Sequence, residues 1–164
     1  MHWPVLDIFQ QAANEFGIPT TSDFNDGTNY GVGYFDVTQK SGWRLNSKQA
    51  FLSCPPQNLD IVTDAQVEKV LVDHDDNGNV RCSGVRFVKG KEKIVQEVMI
   101  NRRGITTGEV ILTAGAIGSV QILERSGIGC RKRLENLGVS VLKDLPGVGE
   151  NLQDHLQIRV VSTF

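Results

Sequence analysis

Residues 108–155 constrain the fold more than any other part of the chain. The stretch opens on an apolar run, Val110-Ile111-Leu112, which breaks on the small residues Thr113-Ala114-Gly115-Ala116. A helical pattern follows through Ser126 and stops at Gly127-Ile128-Gly129. Further on come Leu145-Pro146-Gly147-Val148-Gly149 and Asn151-Leu152-Gln153-Asp154-His155. A buried strand that ends in small residues and feeds a helix is how an α/β fold brings its backbone close to a nucleotide. The same glycines also make tight turns, and spacing alone does not separate the two uses.

The run Gly115-Ala116-Ile117-Gly118-Ser119-Val120-Gln121-Ile122-Leu123-Glu124-Arg125-Ser126-Gly127-Ile128-Gly129 resembles the second signature of the glucose–methanol–choline (GMC) flavoprotein oxidoreductases. Residues 144–155 also resemble that family, with Leu-Pro-Gly-Val-Gly, one variable residue, then Asn-Leu-Gln-Asp-His. Val120 departs from the usual Pro or Ser, and Cys130 stands where Pro is common. These are local turn changes that bear on the entry and exit of the helix.

The resemblance implies an α/β (mixed α+β) fold: part of an FAD-binding Rossmann-like domain with an inserted antiparallel meander, plus part of a substrate domain. By the same pattern, residues 1–45 belong to the substrate-binding domain. Residues 46–130 belong to the FAD-binding domain, with the meander at 67–100, and 131–164 lead back to the substrate domain. The implied cofactor is FAD and the implied substrate a small-molecule alcohol, oxidised by hydride transfer to the flavin. Val67 matches the valine that faces the adenine of FAD, although periodicity alone reads it equally as a strand-core residue. Ala114 and Gly115 carry little side chain, which suits either close approach to a cofactor or packing. Asp154-His155-Leu156-Gln157-Ile158-Arg159 resembles the choline-dehydrogenase-like branch.

An alcohol must lose a proton as its hydride leaves, so a base of near-neutral pKa has to stand against the flavin ring. In the family that base is a C-terminal His with a second His or Asn beside it, a region expected beyond Phe164. His155 is not that residue by the family pattern, and Asp154 reads as a turn or cap carboxylate. No Gly-x-Gly-x-x-Gly follows an N-terminal strand here, so the pyrophosphate cradle is missing too. The expectation is a middle section of a longer enzyme, cut at both ends, with its N- and C-terminal partner segments elsewhere and little activity on its own. Apolar surface at Leu112 and Val67 should then be left exposed. The competing reading is a stand-alone binding domain without redox chemistry. An NAD enzyme is weaker, since the dinucleotide fingerprint is absent.

Composition narrows the alternatives. The 164 residues suit about one domain, and 40% hydrophobic content supports a core rather than disorder. A net charge of −2 leaves no electrostatic footprint for nucleic acid or an anionic membrane. The basic clusters Arg102-Arg103 and Arg131-Lys132-Arg133 read as solvated faces. No apolar run nears the ~20 residues of a membrane span, and no signal peptide is evident. Cys54, Cys82 and Cys130 are odd in number and widely spaced, which argues against a disulfide framework or zinc site and for a reducing, cytoplasmic setting.

Along the chain, Val5, Ile8, Phe9, Ala12, Ala13 and Phe16 recur at helical spacing, with Gly17 as the cap. Residues 23–27 read as a turn. Residues 31–40 read as a strand that turns at Ser41-Gly42 and returns through Trp43-Arg44-Leu45. Tyr34, Phe35 and Trp43 are expected in a core, with a substrate pocket as the other possibility. Ser47 reads as the N-cap of a short helix ended by Pro55-Pro56. Leu59, Ile61 and Val62 suggest a strand. A meander follows, with Asp75-Asp76-Asn77-Gly78-Asn79 as its first turn; its carboxylate spacing is wrong for calcium. The helix after Gly115 should bury some of Ile117, Val120, Ile122 and Leu123. Ser119 reads as a helix-start residue, and neither it nor Ser126 has a histidine in nucleophile arrangement. Leu134 and Leu137 give a short helix capped by Gly138. Strands are expected at 139–142 and 156–161.

Overall fold

A computed structural model describes residues 3–74, 77–101 and 108–161. Asp75, Asp76, Arg102, Arg103 and Phe164, all named above, lie outside the described residues. The chain divides into two units, Met1–Asp60 and Ile61–Phe164.

The first unit opens with helix α1, Pro4–Glu15. Pro4 suits the start, where its missing N–H would find no helical partner. The helix ends as the sequence predicts. Gly17, at φ +96°, donates to the Asn14 carbonyl at 3.0 Å, and Ile18 donates to Ala13 at 2.9 Å. These crossed bonds satisfy carbonyls the last turn would leave bare. The apolar stripe is present but uncovered: no α1 residue is buried, and Ile8 and Phe9 are exposed.

The turn at 23–27 is held by side chains. Asp23 accepts the Asn25 N–H at 2.7 Å, and Asp26 accepts that of Thr28 at 2.9 Å. The expected strand at 31–40 is much shorter. Only Gln39–Lys40 (β1) pairs with Trp43–Arg44 (β2), through the two-residue turn Ser41-Gly42 with φ positive at both. Upstream, Val32 forms a single parallel bridge with Thr20. A Cβ on Gly31 would come within 2.8 Å of the Pro19 carbonyl, and one on Gly33 would overlap that of Thr21. The chain is pressed against its neighbour's backbone there, and the ladder stops at one bridge. Phe35 and Trp43 are exposed rather than in a core, and Phe24 stacks on Phe35 with ring centroids 5.5 Å apart. Helix α2, Ser47–Phe51, starts one residue earlier than expected. Asn46 is the N-cap, accepting the Gln49 N–H at 2.9 Å while the Gln49 side chain returns to the Asn46 N–H. Ser47 is already helical.

The second unit is built on an antiparallel sheet in the order β3 (Ala65–His74), β4 (Val80–Lys89), β5 (Ile94–Met99). This is the expected meander. Two register shifts bend it: Glu68 is extra on β3, between Val67↔Phe87 and Lys69↔Arg86, and Ser83 is extra on β4. Gly84 is needed where β4 meets β5, because a Cβ there would overlap the Val98 carbonyl. Residues 59–62, expected as a strand, have no regular structure.

Helix α3, Gly115–Arg125, packs on β3. Strand β6 (Ile128–Gly129), helix α4 (Arg131–Asn136) and strand β7 (Lys143–Asp144) follow, with β6 and β7 parallel. The strand expected at 139–142 thus sits further on. Gly138 closes α4 as predicted, donating to Glu135 at 3.0 Å while Val139 donates to Leu134 at 2.9 Å. Val70, Phe87, Ile122 and Leu134 are the buried apolar side chains, with Leu134 wholly inaccessible. Ser126 joins them as a buried polar group. Its hydroxyl accepts the Val70 N–H at 2.8 Å and donates to the Ile122 carbonyl at 2.5 Å, which fastens the end of α3 to edge strand β3.

Two further strand expectations fail. Val110-Ile111-Leu112 forms no strand; Ile111 is 79% exposed, while Val110 and Leu112 are half-buried. Residues 156–161 are likewise irregular, with Leu156 94% exposed. Both have strand-like side chains and no described ladder to join, and a lone strand cannot satisfy its backbone groups except with water. Leu112 and Val67, expected to be exposed, are half-buried, and Ile111 is the exposed residue of the apolar run. Among the described residues no helix is long and apolar enough to cross a membrane.

Candidate functional site

Ala114 and Gly115 sit together at the N-terminal end of α3 and both are exposed. Gly115 has φ +82°, and a Cβ built on it would meet nothing within 4 Å. Its freedom is used for backbone shape, with open space above it. Ala114 stands at the N-cap position, where it has no side-chain oxygen to offer the helix. Ser119 is not a helix-start residue; it lies inside α3, and its hydroxyl accepts the Ala114 N–H at 3.1 Å, which braces the entry. The result is a small-residue helix start with open space at Gly115. Val67 lies on β3, opposite Phe87 and beside the Glu68 bulge. The bond that fastens β3 to α3, Val70 to Ser126, is at the end of the helix opposite Ala114-Gly115. An 11-residue helix is about 16 Å long.

A groove of about 420 Å³ runs beside α3, between Ala116, Ile117 and Val120 on the helix and Gly147, Val148 and Leu152 on the loop after β7. The loop is fastened by Arg133 of α4. Its Nη1 lies 2.9 Å from Glu124 Oε1 of α3, its Nη2 donates to Glu150, and Nη1 reaches the Val148 carbonyl at 3.5 Å. The hydrogen bonds to Glu150, then Glu124, raise the guanidinium pKa above its ordinary value. Arg131 is engaged as well: its N–H donates to Asp144 at 3.0 Å, and its guanidinium is 3.6 Å from Glu135. Arg131 and Lys132 are exposed, as expected of a solvated face, while Arg133 is half-buried and tied to two carboxylates.

In the first unit, Leu6, Phe9, Val32, Gly33, Tyr34 and Phe35 line a groove of about 250 Å³. The Tyr34 hydroxyl donates to Asp7 at 2.5 Å, and that bond raises the phenol pKa. Asp154 accepts the His155 backbone N–H at 2.8 Å, a turn role, and His155 is exposed. No group of carboxylates, histidines and cysteines among the described residues could hold a metal ion. Cys54, Cys82 and Cys130 form no disulfide.

Sequence reasoning missed Ser126 and the Glu124–Arg133–Glu150 group. Ser126 carried a weak signal, a small polar residue ending an apolar helix. The ion pairs carried none, because nine and seventeen residues separate the partners and no local spacing rule spans that distance.

Comparison with known proteins bears on this arrangement. An alcohol dehydrogenase [acceptor] from Pseudomonas putida is 38% identical over 160 residues, covering 96% of this chain and 27% of that protein. An oxygen-dependent choline dehydrogenase from Cronobacter sakazakii is 39% identical over 159 residues, covering 94% and 26%. The chain therefore spans about a quarter of the length of the relatives it matches. Among solved structures, an FAD-dependent oxidoreductase from Chaetomium thermophilum superposes with a TM-score of 0.72 at 31% identity, covering 94% of this chain and 25% of the other. Pyridoxine 4-oxidase from Mesorbium loti gives 0.74 at 28% identity, covering 93% and 28%. Residues 1–157 match the family described as GMC oxidoreductase.

Proposed function

The chain belongs to the GMC oxidoreductase family, and from that premise we propose that it is part of an FAD-dependent enzyme that oxidises an alcohol by hydride transfer to the flavin. The observation that carries the reading is the start of α3. There the family signature coincides with an exposed Ala114-Gly115 pair, positive φ at Gly115 and unfilled space above it. Such a place lets a nucleotide lie against main chain, where a larger side chain would hold it off.

In this proposal Ala114 and Gly115 supply close backbone approach to FAD, and Val67 supplies an apolar wall from β3 toward the adenine. Residues 1–45 and 131–164 belong to the substrate-domain side, and 46–130 to the cofactor side. Bound flavin supplies the hydride acceptor. These residues bind and orient; the base that takes the alcohol proton is assigned to a part of the enzyme beyond them. His155 is not given that role in this proposal, because the family pattern places the catalytic His elsewhere. A cytoplasmic setting fits three cysteines that form no disulfide.

The test uses the full-length protein that carries these residues and the isolated chain side by side. The first should purify with a bound-flavin absorption band and turn over an alcohol; the second should do neither. Gly115→Val in the full-length protein should strip much of the flavin. A full-length protein that stays colourless with FAD supplied, or a Gly115→Val variant with undiminished flavin content, defeats the reading.

A further inference from the structure

Arg133 ties together several segments of the second unit, and nothing in the flavin reading uses it. It joins three segments that are separate in sequence: Glu124 near the end of α3, its own helix α4, and Glu150 with the Val148 carbonyl on the loop after β7. The guanidinium is half-buried, and Glu124 more so. A planar fork with several donors can hold two carboxylates and a carbonyl at once, which an ammonium cannot do in the same geometry. Gly149 shows how close the loop is drawn. A Cβ there would stand 3.0 Å from Arg133 Nη1 and 3.1 Å from Val120 Cγ1, with φ at +80°. The loop therefore touches α3 at Val120 and is tied down on either side of that contact.

This contact sets the width of the groove between α3 and the loop. Ala116 and Ile117, the next residues after Ala114-Gly115, line the same groove. We propose that Arg133 is a positioning residue for flavin binding: by fastening the 147–150 loop to α3 it keeps the groove at Ala116 and Ile117, next in sequence to Ala114-Gly115, at a fixed width. The proposal rests on the flavin reading of that helix start. Removing the guanidinium does more than delete bonds. It leaves Glu124 and Glu150, both held on one cation, as neighbouring like charges that push the loop outward.

The test follows amide hydrogen exchange and flavin affinity together in the full-length protein. In Arg133→Leu, the Val148 and Glu150 amides should exchange at least about tenfold faster, because loss of the clamp lets the loop open locally. Amides of β3, β4 and β5 should keep wild-type rates, and FAD should bind severalfold more weakly. Arg133→Lys should fall between the two, and Glu150→Gln added to Arg133→Leu should recover part of the affinity by removing the repulsion. Where Arg133→Leu does not fold, Glu150→Gln alone loosens the loop with Arg133 and Glu124 still paired, and it should weaken FAD in the same direction. Loop amides unchanged in the variant, or a freed loop with undiminished flavin affinity, overturn the proposal. A wild-type protein that takes up no flavin is a different failure, in the functional reading itself, and removes the ground this proposal stands on.

Discussion

Single residues decide how the helices and sheet of the second unit are joined, and Ser126 shows it best. It is buried, and its hydroxyl is the acceptor for an edge-strand N–H of β3. Ser126→Ala leaves the Val70 N–H without a partner in a dry place, and should cost about 1–3 kcal/mol in urea unfolding of the chain. Gly127 beside it has φ +80°, and a Cβ there would overlap the Ser140 carbonyl and sit 3.1 Å from the Leu142 nitrogen. Gly127→Ala should destabilise by more than about 2 kcal/mol, the left-handed penalty adding to the overlap. Gly115→Ala meets no such overlap and should cost only about 1–2 kcal/mol, so the two glycines separate a packing role from a backbone-shape role. In the first unit, the Tyr34 phenol is pushed up by its hydrogen bond to Asp7. A raised pKa in the folded state means the neutral phenol is the favoured form. Its contribution to stability is complete below the ordinary phenol range near ~10 and fades as pH rises through the folded value. Ultraviolet titration should show a tyrosine with a midpoint above that range, which Asp7→Ala brings down.

At the scale of elements, what the sequence shows clearly is where helices stop. Gly17 and Gly138 both close helices with crossed bonds, as a glycine after an amphipathic run predicts. Helix starts were less legible. Ser47 and Asn46 are both good caps and adjacent, and only the reciprocal Gln49 bond selects Asn46. Asn46→Ala should cost about 1 kcal/mol and fray α2, visible as faster exchange at the Gln49 amide, whereas Ser47→Ala should change little. The meander is legible because β-formers, alternation and the Asn77-Gly78 turn agree with one another. Residues 31–40, 59–62, 110–112 and 156–161 also carry strand-favouring side chains yet form at most a two-residue strand. Strand character in a side chain states a preference, while a strand exists only if a ladder receives its backbone.

For the molecule as a whole, the apolar periodicity of α1 is correct and its burial is not. Ile8, Phe9 and Phe16 are exposed, as are Ile111 and Leu156. The isolated chain should therefore bind an apolar fluorescent dye under native conditions and lose the signal on full unfolding in urea; absence of dye binding would contradict the exposed faces described here. The match to relatives about four times as long accords with such surface. The sequence by itself determined the family, the glycine stops, the meander and the small-residue start of α3. Each of these is written in residues close together along the chain, through periodicity, turn chemistry or a contiguous motif. Tertiary structure alone decided which apolar runs are paired, that Ser126 pins β3, and that Arg133 clamps the 147–150 loop. Those depend on groups far apart in sequence meeting in space, and a hydrogen bond or an ion pair leaves no mark on the order of residues that come between.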